Sequence, residues 1–450
     1  MFEFACQVAL LVASIGGMRV LVRCAAFGIS LGLVVLFTPG KRLHPAVKPA
    51  AVVVAILAFA LFNPNTNSIL VGMMQLLLYV AILAPLLWVS NLPLEKPEVR
   101  RILLIMLAFQ GVSSLLGILQ VYYPGRFRGN ISTVITGAKG HYIKGLYYKN
   151  AAGGLVLRPS GLTDIPGGVG MAGQYAALLG IYFYLTDRDS RIRWIAVATA
   201  MVGVAAVSLS GVKSAIICLA ISLGVFASLF FWQAVSAQGR RMAVWAGRQR
   251  ISPLAVLILL SIIAAGGYYL AISVGGQGVT NSTSALTKNA PSQVFYEERG
   301  RFLEYTINVL LPEYPLGAGL GRWGMMGYYF GDPKNSKGGS IWVEIQWTGW
   351  LVDGGVPLIL AYAFALLLAV RFAVKCSQTP ALGDFAVFAA LVAGYDVSLI
   401  AGTFDYAPFI TSMGMDFWLL NAILFGSIAY SYRTTNRRVS TVEAIPARYR

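Results

Sequence analysis

Long apolar runs, separated by short polar connections, dominate this sequence. A hydrocarbon core of about 30 Å needs roughly 20 apolar helical residues, and most of the runs are about that long. Residues 5–37 are too long for one span and carry Gly16-Gly17 and Arg19 part-way, so we expect two short helices there. Further spans are expected at 46–62, 69–88, 102–122, 168–185, 192–209, 212–232, 253–272, 341–372, 385–401 and 407–430. The pattern predicts an all-α, polytopic helical membrane protein with about twelve transmembrane helices.

One long polar stretch, residues 275–340, interrupts this pattern. Loops longer than about 12–15 residues are uncommon and are usually functional or disordered. Glu298-Arg299-Gly300-Arg301 precedes periodic apolar positions, which predicts a short amphipathic helix ending near Pro312. We interpret the stretch as a loop with short helices that contributes the wall of an active site. The chain then divides into nine transmembrane helices in 1–274 (including a basic segment, 124–167), the loop at 275–340, three helices in 341–430 and a basic tail at 431–450.

Composition narrows the class of protein. The chain is 57% hydrophobic and 12% charged, which excludes a soluble globular protein. The net charge of +17 comes without a nucleic-acid motif, so we expect no nucleic-acid partner. With only His44 and His141, and four cysteines without metal-ligand spacing, the sequence predicts neither a metal nor a cofactor. Glu3 replaces the basic start of a signal peptide, so we expect the N-terminus to be retained as a span.

The distribution of Lys and Arg predicts the orientation. Alternate connections at 41–48, 96–101, 188–193, 240–250 and 371–375 are basic, whereas 63–68 and 402–406 contain no Lys or Arg. Since basic short loops face the cytoplasm, both termini are expected there. The long outer segments, 124–167 and 275–340, are also basic. Their cations either serve solubility and contact with anionic head groups or form a basic chamber for a phosphate-bearing substrate.

Three cations stand where an anion could be bound. Arg158, in Arg158-Pro-Ser-Gly161, precedes a span within irregular backbone and either grips an anion or extends to the membrane interface. Lys213 follows a very short turn at a helix N-terminus, where a cation is unfavourable unless an anion is nearby. Arg301 either binds an anion or pairs with Glu304, three residues further along the same helix.

A carboxylate and several aromatic residues flank the return into the membrane. Glu344 could act as a general base, or could complement the positive end of the expected helix. Glu344 and Asp353, nine residues apart, would share a broad side of a helix that begins at Ile341. The aromatic side chains suit sugar faces or a membrane-interface belt; they are Trp323, Tyr328, Tyr329, Trp342 and Trp347.

Together these motifs resemble the superfamily of bacterial O-antigen ligases and O-antigen polymerases, over residues 158–360. Arg158-Pro-Ser-Gly161 matches the family's Arg-x-x-Gly, and Ser210-Gly-Val-Lys213-Ser214 matches its Ser-Arg-Gly-type turn with lysine for arginine. The family's loop pattern is matched by Gly300-Arg301 and by Tyr314-Pro-Leu-Gly-Ala-Gly-Leu-Gly321. The Glu-x-Gly that follows the loop is matched by Asp353-Gly-Gly355. The family's histidine, the proposed base, falls on Glu344, so we expect Glu344 to replace it.

The resemblance implies a helical membrane protein with one long periplasmic loop that contains short helices. It implies a metal-independent inverting glycosyltransferase in the bacterial inner membrane. Such an enzyme polymerises or ligates polyprenyl-pyrophosphate-linked glycan units at the periplasmic face, in exopolysaccharide or O-antigen assembly. Its partners would be the lipid-linked donor, a glycan acceptor, the bilayer, and a chain-length regulator or other assembly proteins. The expected site comprises Glu344 as base, Arg158, Lys213, Arg299 and Arg301 for the pyrophosphate, and Trp323, Tyr328 and Trp347 for the glycan.

Two other classes of protein remain as alternatives. A transporter or flippase of lipid-linked oligosaccharide would place ionisable residues near the midplane of several helices. Asp396 is the main candidate of that kind, whereas most charges lie toward the outer end, which favours the enzyme. A glycosyltransferase that uses lipid-monophosphate sugars would need acids in its first outer loop, and residues 63–68 contain none.

Overall fold

The computed structural model describes residues 16–37, 43–92, 94–127, 146–163, 165–236, 253–288, 293, 295–332, 334–335 and 338–443. These residues are largely helical, with one short antiparallel hairpin, β1 (Tyr147–Lys149) and β2 (Leu155–Leu157). The helices are α1 (Gly16–Leu36), α2 (Val47–Ala60), α3 (Ile69–Trp88), α4 (Lys96–Tyr122), α5 (Val169–Thr186), α6 (Ser190–Leu209), α7 (Lys213–Ser236), α8 (Pro253–Gly275), α9 (Gln277–Lys288), α10 (296–313), α11 (Gly324–Phe330), α12 (Gln346–Ser377), α13 (Asp384–Gly402) and α14 (Ser412–Glu443). Within α10, two π-helical turns, Tyr296–Gly300 and Thr306–Leu310, alternate with α-helical ones.

Eight of the described helices are long and apolar enough to cross a membrane: α3, α4, α6, α7, α8, α12, α13 and α14. Two shorter apolar helices, Ala25–Leu36 and Val47–Ala60, accompany them. The prediction of a polytopic helical membrane protein is therefore confirmed. The count of twelve spans stays a prediction, because most of the first expected span falls on residues 1–15, outside the described residues.

Small residues bring the central helices together. A methyl group added at Gly173 of α5 would lie 2.4 Å from the carbonyl oxygen of Gly203 in α6, and one at Gly180 would lie 2.4 Å from that of Ala196. Likewise, a methyl group at Gly394 of α13 would lie 2.6 Å from the carbonyl oxygen of Ser222 in α7. Membrane helices associate through such small residues because lipid provides no hydrophobic drive between them. The close packing fixes α7 against α13, and both helices lead into the candidate site.

Contacts between the described connections group them at two ends of the bundle. At one end Asn63 Nδ2 donates to Gly317 O at 3.0 Å and Tyr148 Oη donates to Leu209 O at 3.1 Å. At the opposite end, Arg100 Nε lies 2.8 Å from Asp187 Oδ2, and Lys96 Nζ lies 3.2 Å from Asp384 Oδ2. We call the first end the loop face; it comprises residues 63–68, 146–168, 210–212, 276–345 and 403–411, as far as the structure describes them.

Helix α12 breaks where the loop enters it. Gly355 has φ 67° and ψ −161°, which is outside the helical region, and Pro357 follows. The backbone groups released by the break find partners in the loop: Ala318 N donates to Val352 O at 2.8 Å, and Val356 N donates to Pro315 O at 2.9 Å. Irregular backbone at membrane depth is tolerated only where protein or water satisfies it in this way. The turn at 315–318 is thus part of the bundle and not a separate lid.

A buried carboxylate fixes the same region. Asp353 is fully buried and accepts hydrogen bonds from Tyr79 Oη at 2.8 Å, Gln75 Nε2 at 3.2 Å and Trp323 Nε1 at 2.8 Å. These donors belong to α3 and to the loop, so one side chain ties three parts of the chain together. A buried carboxyl group requires such partners, since an unsatisfied one would be costly.

Several expected boundaries differ from the structure. Gly16 and Gly17 begin α1, which runs without a break through Arg19; the first of the two short helices expected in 5–37 falls mostly outside the described residues. Helix α12 begins at Gln346 and not at Ile341, because the residues before it are not helical. Ile345 has φ −116° and ψ 153°, and Ile341 N donates to Arg322 O at 2.7 Å. Glu344 therefore precedes the helix, and the expectation that it shares a helix side with Asp353 is wrong. Helix α14 begins at Ser412, after the short 3-10 helix Pro408–Ile410.

Candidate functional site

Four residues that are distant in sequence meet at the loop face. Arg299 Nη1 lies 3.7 Å from Glu344 Oε2, and Arg299 Nε lies 3.4 Å from Asp405 Oδ1. Arg299 Nε also donates to the backbone carbonyl of Asp405 at 2.8 Å. Ser214 Oγ donates to Asp405 Oδ2 at 2.5 Å. We call Ser214, Arg299, Glu344 and Asp405 the carboxylate–arginine cluster.

Hydrogen bonds made by Gln346, two residues further along, hold Glu344 in this cluster. Gln346 N donates to the carbonyl oxygens of Thr403 at 3.1 Å and Tyr406 at 3.2 Å. The carbonyls come from the turn that carries Asp405, between α13 and α14. Gln346 Oε1 also accepts from Phe409 N at 2.8 Å. The end of the loop is therefore bound to the 403–409 turn, which places the two carboxylates beside each other.

The surroundings of Glu344 make it a stronger base than an ordinary carboxylate. Its side chain is 18% exposed. Burial raises the pKa of Glu344 above its usual 4.5, and the nearby charge of Asp405 raises it further. Arg299 and a hydrogen bond with Trp342 lower the pKa, but burial is the larger effect. Burial disfavours the charged form of an acid, so Glu344 takes up a proton more readily than a solvated glutamate.

The short segment 211–214 connects the cluster to Lys213 and Arg158. Lys213 is the first residue of α7 and precedes Ser214 directly. Arg158 follows β2 and lies against the turn before Lys213: a methyl group added at Gly211 would be 3.4 Å from Arg158 Nε. Gly211 and Ser214 are three residues apart, so their Cα atoms are at most roughly 11 Å from each other. This segment brings two of the predicted phosphate-binding cations to the same region as Glu344.

Arg158 also faces a small polar cavity. The cavity has a volume of about 50 Å³ and is lined by Tyr147, Tyr148, Arg158, Ser208, Leu209, Gly211, Gly278, Val279 and Ser282. Burial raises the pKa of Tyr148, and the charge of Arg158 lowers it. The turn beside the arginine contains Gly211, whose φ of 66° is a conformation that glycine adopts readily. A half-buried guanidinium beside a polar cavity is suited to binding an anion.

Arg299, and not Arg301, contacts Glu344 in this structure. Arg301 is exposed at the start of the α-helical part of α10. Glu304, its expected alternative partner, accepts a hydrogen bond from Tyr296 Oη at 2.8 Å. Arg299 lies in the π-helical turn Tyr296–Gly300, a feature that occurs frequently at functional sites.

The three aromatic residues expected to contact glycan have different environments. Trp323 is 4% exposed, and its ring packs against Gly349 while its nitrogen donates to Asp353, so it presents no face to a glycan here. Tyr328 is 57% exposed, beside Tyr329. Trp347 is half-buried; its Nε1 donates to Thr403 Oγ1 at 3.1 Å, and its ring lies 5.3 Å from that of Phe404. Tyr328 and Trp347 remain accessible to a ligand, and Trp323 belongs to the core.

Asp405 and Ser214 were not identified as site residues from the sequence. The available signal was weak: Asp405 is the single charged residue in the short connection 402–406. Within the described part of the chain, no group of three or more His, Cys, Asp or Glu side chains is placed to hold a metal ion.

The fold and the site define a polytopic helical membrane protein with a charged, partly buried cluster at one end of its bundle. The chain matches no model of a known protein family and no curated protein.

Proposed function

We propose that the chain is a membrane glycosyltransferase that polymerises or ligates glycan units carried on a polyprenyl pyrophosphate. The observation that carries this proposal is the position of Glu344, a carboxylate with a raised pKa that lies 3.7 Å from Arg299 in a cluster next to Lys213. The loop face would be the periplasmic side of a bacterial inner membrane, with both termini in the cytoplasm. The partners would be the lipid-linked donor, a glycan acceptor and other assembly proteins.

The proposed chemistry is a single displacement that inverts the anomeric carbon. Glu344 takes the proton of an acceptor hydroxyl, and the oxygen attacks the anomeric carbon of the donor sugar. The bond between that carbon and the pyrophosphate oxygen breaks, and its electron pair leaves with the polyprenyl pyrophosphate. Cations preorganised where this negative charge develops lower the barrier. Arg158, Lys213, Arg299 and Arg301 would supply them, without a metal.

The surroundings of Arg158 support a role in binding the leaving group. Among the described residues, none offers its guanidinium a hydrogen-bond acceptor, and the side chain lies between the 210–212 turn and a polar cavity. An arginine in this setting gains most from a ligand that accepts two parallel hydrogen bonds, as a phosphate does. Arg299, by contrast, already has protein acceptors. We assign first contact with the pyrophosphate to Arg158, and charge stabilisation near the reacting carbon to Arg299.

The test is transfer by purified protein on a lipid-pyrophosphate oligosaccharide in the presence of EDTA. Loss of a general base lowers kcat by roughly 10²–10⁴-fold, and we expect Glu344→Gln to show a loss of that size. The control is Glu313→Gln, which makes the same chemical change at an exposed position of the same loop. Full turnover in Glu344→Gln would remove the base assignment, and loss of activity with the chelator would remove the metal-free mechanism.

A transporter or flippase of lipid-linked oligosaccharide is the second candidate, and two observations favour it. Helix α12 is discontinuous at Gly355, and discontinuous helices commonly form the substrate sites of transporters. Asp353 and Asp396 are fully buried within long apolar helices, and such residues are functional by default. Their carboxylates, however, already accept hydrogen bonds from Trp323, Tyr79 and Asn421. Translocation of the lipid-linked substrate, with no change in product chain length, would identify the transporter.

A further inference from the structure

Asp405 holds Arg299 through two different acceptors. Its backbone carbonyl accepts from Arg299 Nε at 2.8 Å, and its carboxylate Oδ1 lies 3.4 Å from the same nitrogen. The contact between Arg299 Nη1 and Glu344 Oε2, at 3.7 Å, is longer than a hydrogen bond. The guanidinium is therefore tied more closely to Asp405 than to Glu344.

Asp405 is itself held in place. Its second carboxylate oxygen, Oδ2, accepts the hydroxyl hydrogen of Ser214 at 2.5 Å. Its backbone amide donates to Gly402 O at 2.9 Å, and the turn that carries it is closed by the amide of Gln346. Ser214 stands at the start of α7, which is packed closely on α13. The position of the Asp405 carboxylate is thus determined by the bundle and not by the loop that contains Arg299.

We propose that Asp405, supported by Ser214, is a positioning residue that fixes the guanidinium of Arg299 beside Glu344. This rests on the proposed function, because it assigns Arg299 and Glu344 to one reaction. The base, Glu344, and the cation, Arg299, are 45 residues apart in the loop. Asp405 holds the cation at a fixed position on the bundle, next to the base. Preorganisation of this kind determines how much charge stabilisation a cation provides.

The arrangement also keeps Glu344 active as a base. An arginine paired directly and bidentately with Glu344 would favour its charged form and weaken it as a proton acceptor. Asp405 instead accepts the Nε side of the guanidinium, so Arg299 stays near Glu344 without a short hydrogen bond to it. The negative charge of Asp405 also raises the pKa of Glu344, which makes Glu344 a better proton acceptor. A single carboxylate therefore orients the cation and preserves the base.

The direct test measures the reactivity of Arg299 in the purified full-length protein. Phenylglyoxal modifies accessible arginines, and mass spectrometry reports the rate at Arg299. We expect Asp405→Asn to raise that rate several-fold, because it keeps the size of the side chain but loses its charge, and Ser214→Ala to raise it less. The exposed variant Glu313→Gln should leave it unchanged. An unchanged rate at Arg299 in folded Asp405→Asn, or in Ser214→Ala if the first variant fails to fold, would overturn the proposal.

Kinetics separate positioning from a loss of folded enzyme. With Asp405→Asn, kcat for transfer should fall roughly 10-fold, as is common when a hydrogen bond to a charged group is lost, and KM for the lipid donor should rise. A variant that merely lowers the fraction of folded enzyme would lose kcat at unchanged KM, and that result would contradict the proposal. Asp405→Glu, which keeps the charge, should recover part of the loss.

Inorganic pyrophosphate distinguishes this inference from the proposed function. In the wild type it should slow the modification of Arg158 and Arg299 if these residues bind the leaving group. If pyrophosphate gives no protection and no transfer is detected, the proposed function fails. The effect of Asp405→Asn on the modification rate would still decide whether Asp405 positions Arg299, because that measurement needs no turnover.

Discussion

Replacing Gly355 by alanine tests whether the loop and the broken helix form one unit. Gly355 has φ 67°, and a methyl group added there would lie 2.3 Å from Pro315 O and 2.5 Å from Leu316 Cα. Both atoms belong to the backbone, so no side-chain rotation relieves the overlap. The segment 315–318 must move away from α12, or α12 must change its path.

The expected loss follows from two physical contributions. At φ 67° and ψ −161° an L-residue lies in a region that essentially only glycine occupies, which costs roughly 1–3 kcal/mol. Withdrawal of the loop breaks the bonds from Ala318 N to Val352 O and from Val356 N to Pro315 O, each worth about 0.5–1.5 kcal/mol net. We therefore expect Gly355→Ala to lower the free energy of unfolding by about 2–6 kcal/mol.

The measurement is a denaturant titration of the purified protein in mixed micelles. Gly224→Ala is the matched control, because a methyl group at Gly224 of α7 meets no atom within 4 Å. That control should be neutral or stabilising by up to about 1 kcal/mol, since alanine is the better helix former. A loss below about 1 kcal/mol for Gly355→Ala would refute the reasoning, because the loop would then not be packed against the break.

Three further predictions concern single residues. Transfer requires Glu344 in its ionised form, and burial raises the pKa of Glu344, so kcat/KM should decline at acidic pH with an apparent pKa above 4.5. Arg299 lowers the pKa of Glu344, so Arg299→Gln should move this acidic decline to higher pH. Arg158→Lys keeps the charge but loses the planar fork, and should weaken protection by pyrophosphate and lower transfer roughly 10-fold. Asp353→Asn presents one carbonyl oxygen to three donors, among them Tyr79 Oη and Trp323 Nε1, and should cost about 1–3 kcal/mol of unfolding free energy.

Each of these has a control at an exposed position outside the carboxylate–arginine cluster. Glu313→Gln should change neither the pH profile nor the free energy of unfolding. Arg126→Lys, in the exposed turn after α4, should leave transfer and protection by pyrophosphate as they are. The assignment of Glu344 as base would be contradicted if Arg299→Gln left the acidic decline of kcat/KM at the same pH. Full protection by pyrophosphate in Arg158→Lys would contradict the role of Arg158, and wild-type stability of Asp353→Asn would contradict the role of Asp353.

The helices of the bundle were accessible from the sequence because burial in lipid requires a long apolar run. Spans expected at 168–185 and 192–209 correspond to Val169–Thr186 and Ser190–Leu209. The start of α12 was not accessible in this way. Residues 341–345 are as apolar as a helix end, but their backbone bonds to other parts of the chain; the amide of Ile341, for example, donates to Arg322 O. Hydropathy contains no information on those partners.

The candidate site, like the fold, could be predicted only in part from the sequence. Glu344, Lys213 and Arg158 could be selected because charge at the edge of a membrane span is costly and calls for a reason. Asp405 could not, since its meaning depends on Arg299, which is 106 residues away and reaches it only in the folded chain. Trp323 illustrates the converse: composition makes it a candidate for sugar contact, but whether an aromatic ring faces a ligand or the core depends on packing.

The attachment of the loop to the first polar connection sets an order of events during synthesis. Asn63 donates to Gly317 O, Asn67 donates to Gly338 O, and the two partners are 254 and 271 residues apart. At about 5–20 residues per second, the ribosome needs roughly 13–54 s to supply the second partner of these pairs. During that interval the side-chain amides of Asn63 and Asn67 lack these two acceptors. The polar side chains of this connection are therefore solvated in the nascent chain first, and bond to the loop only once the bundle is complete.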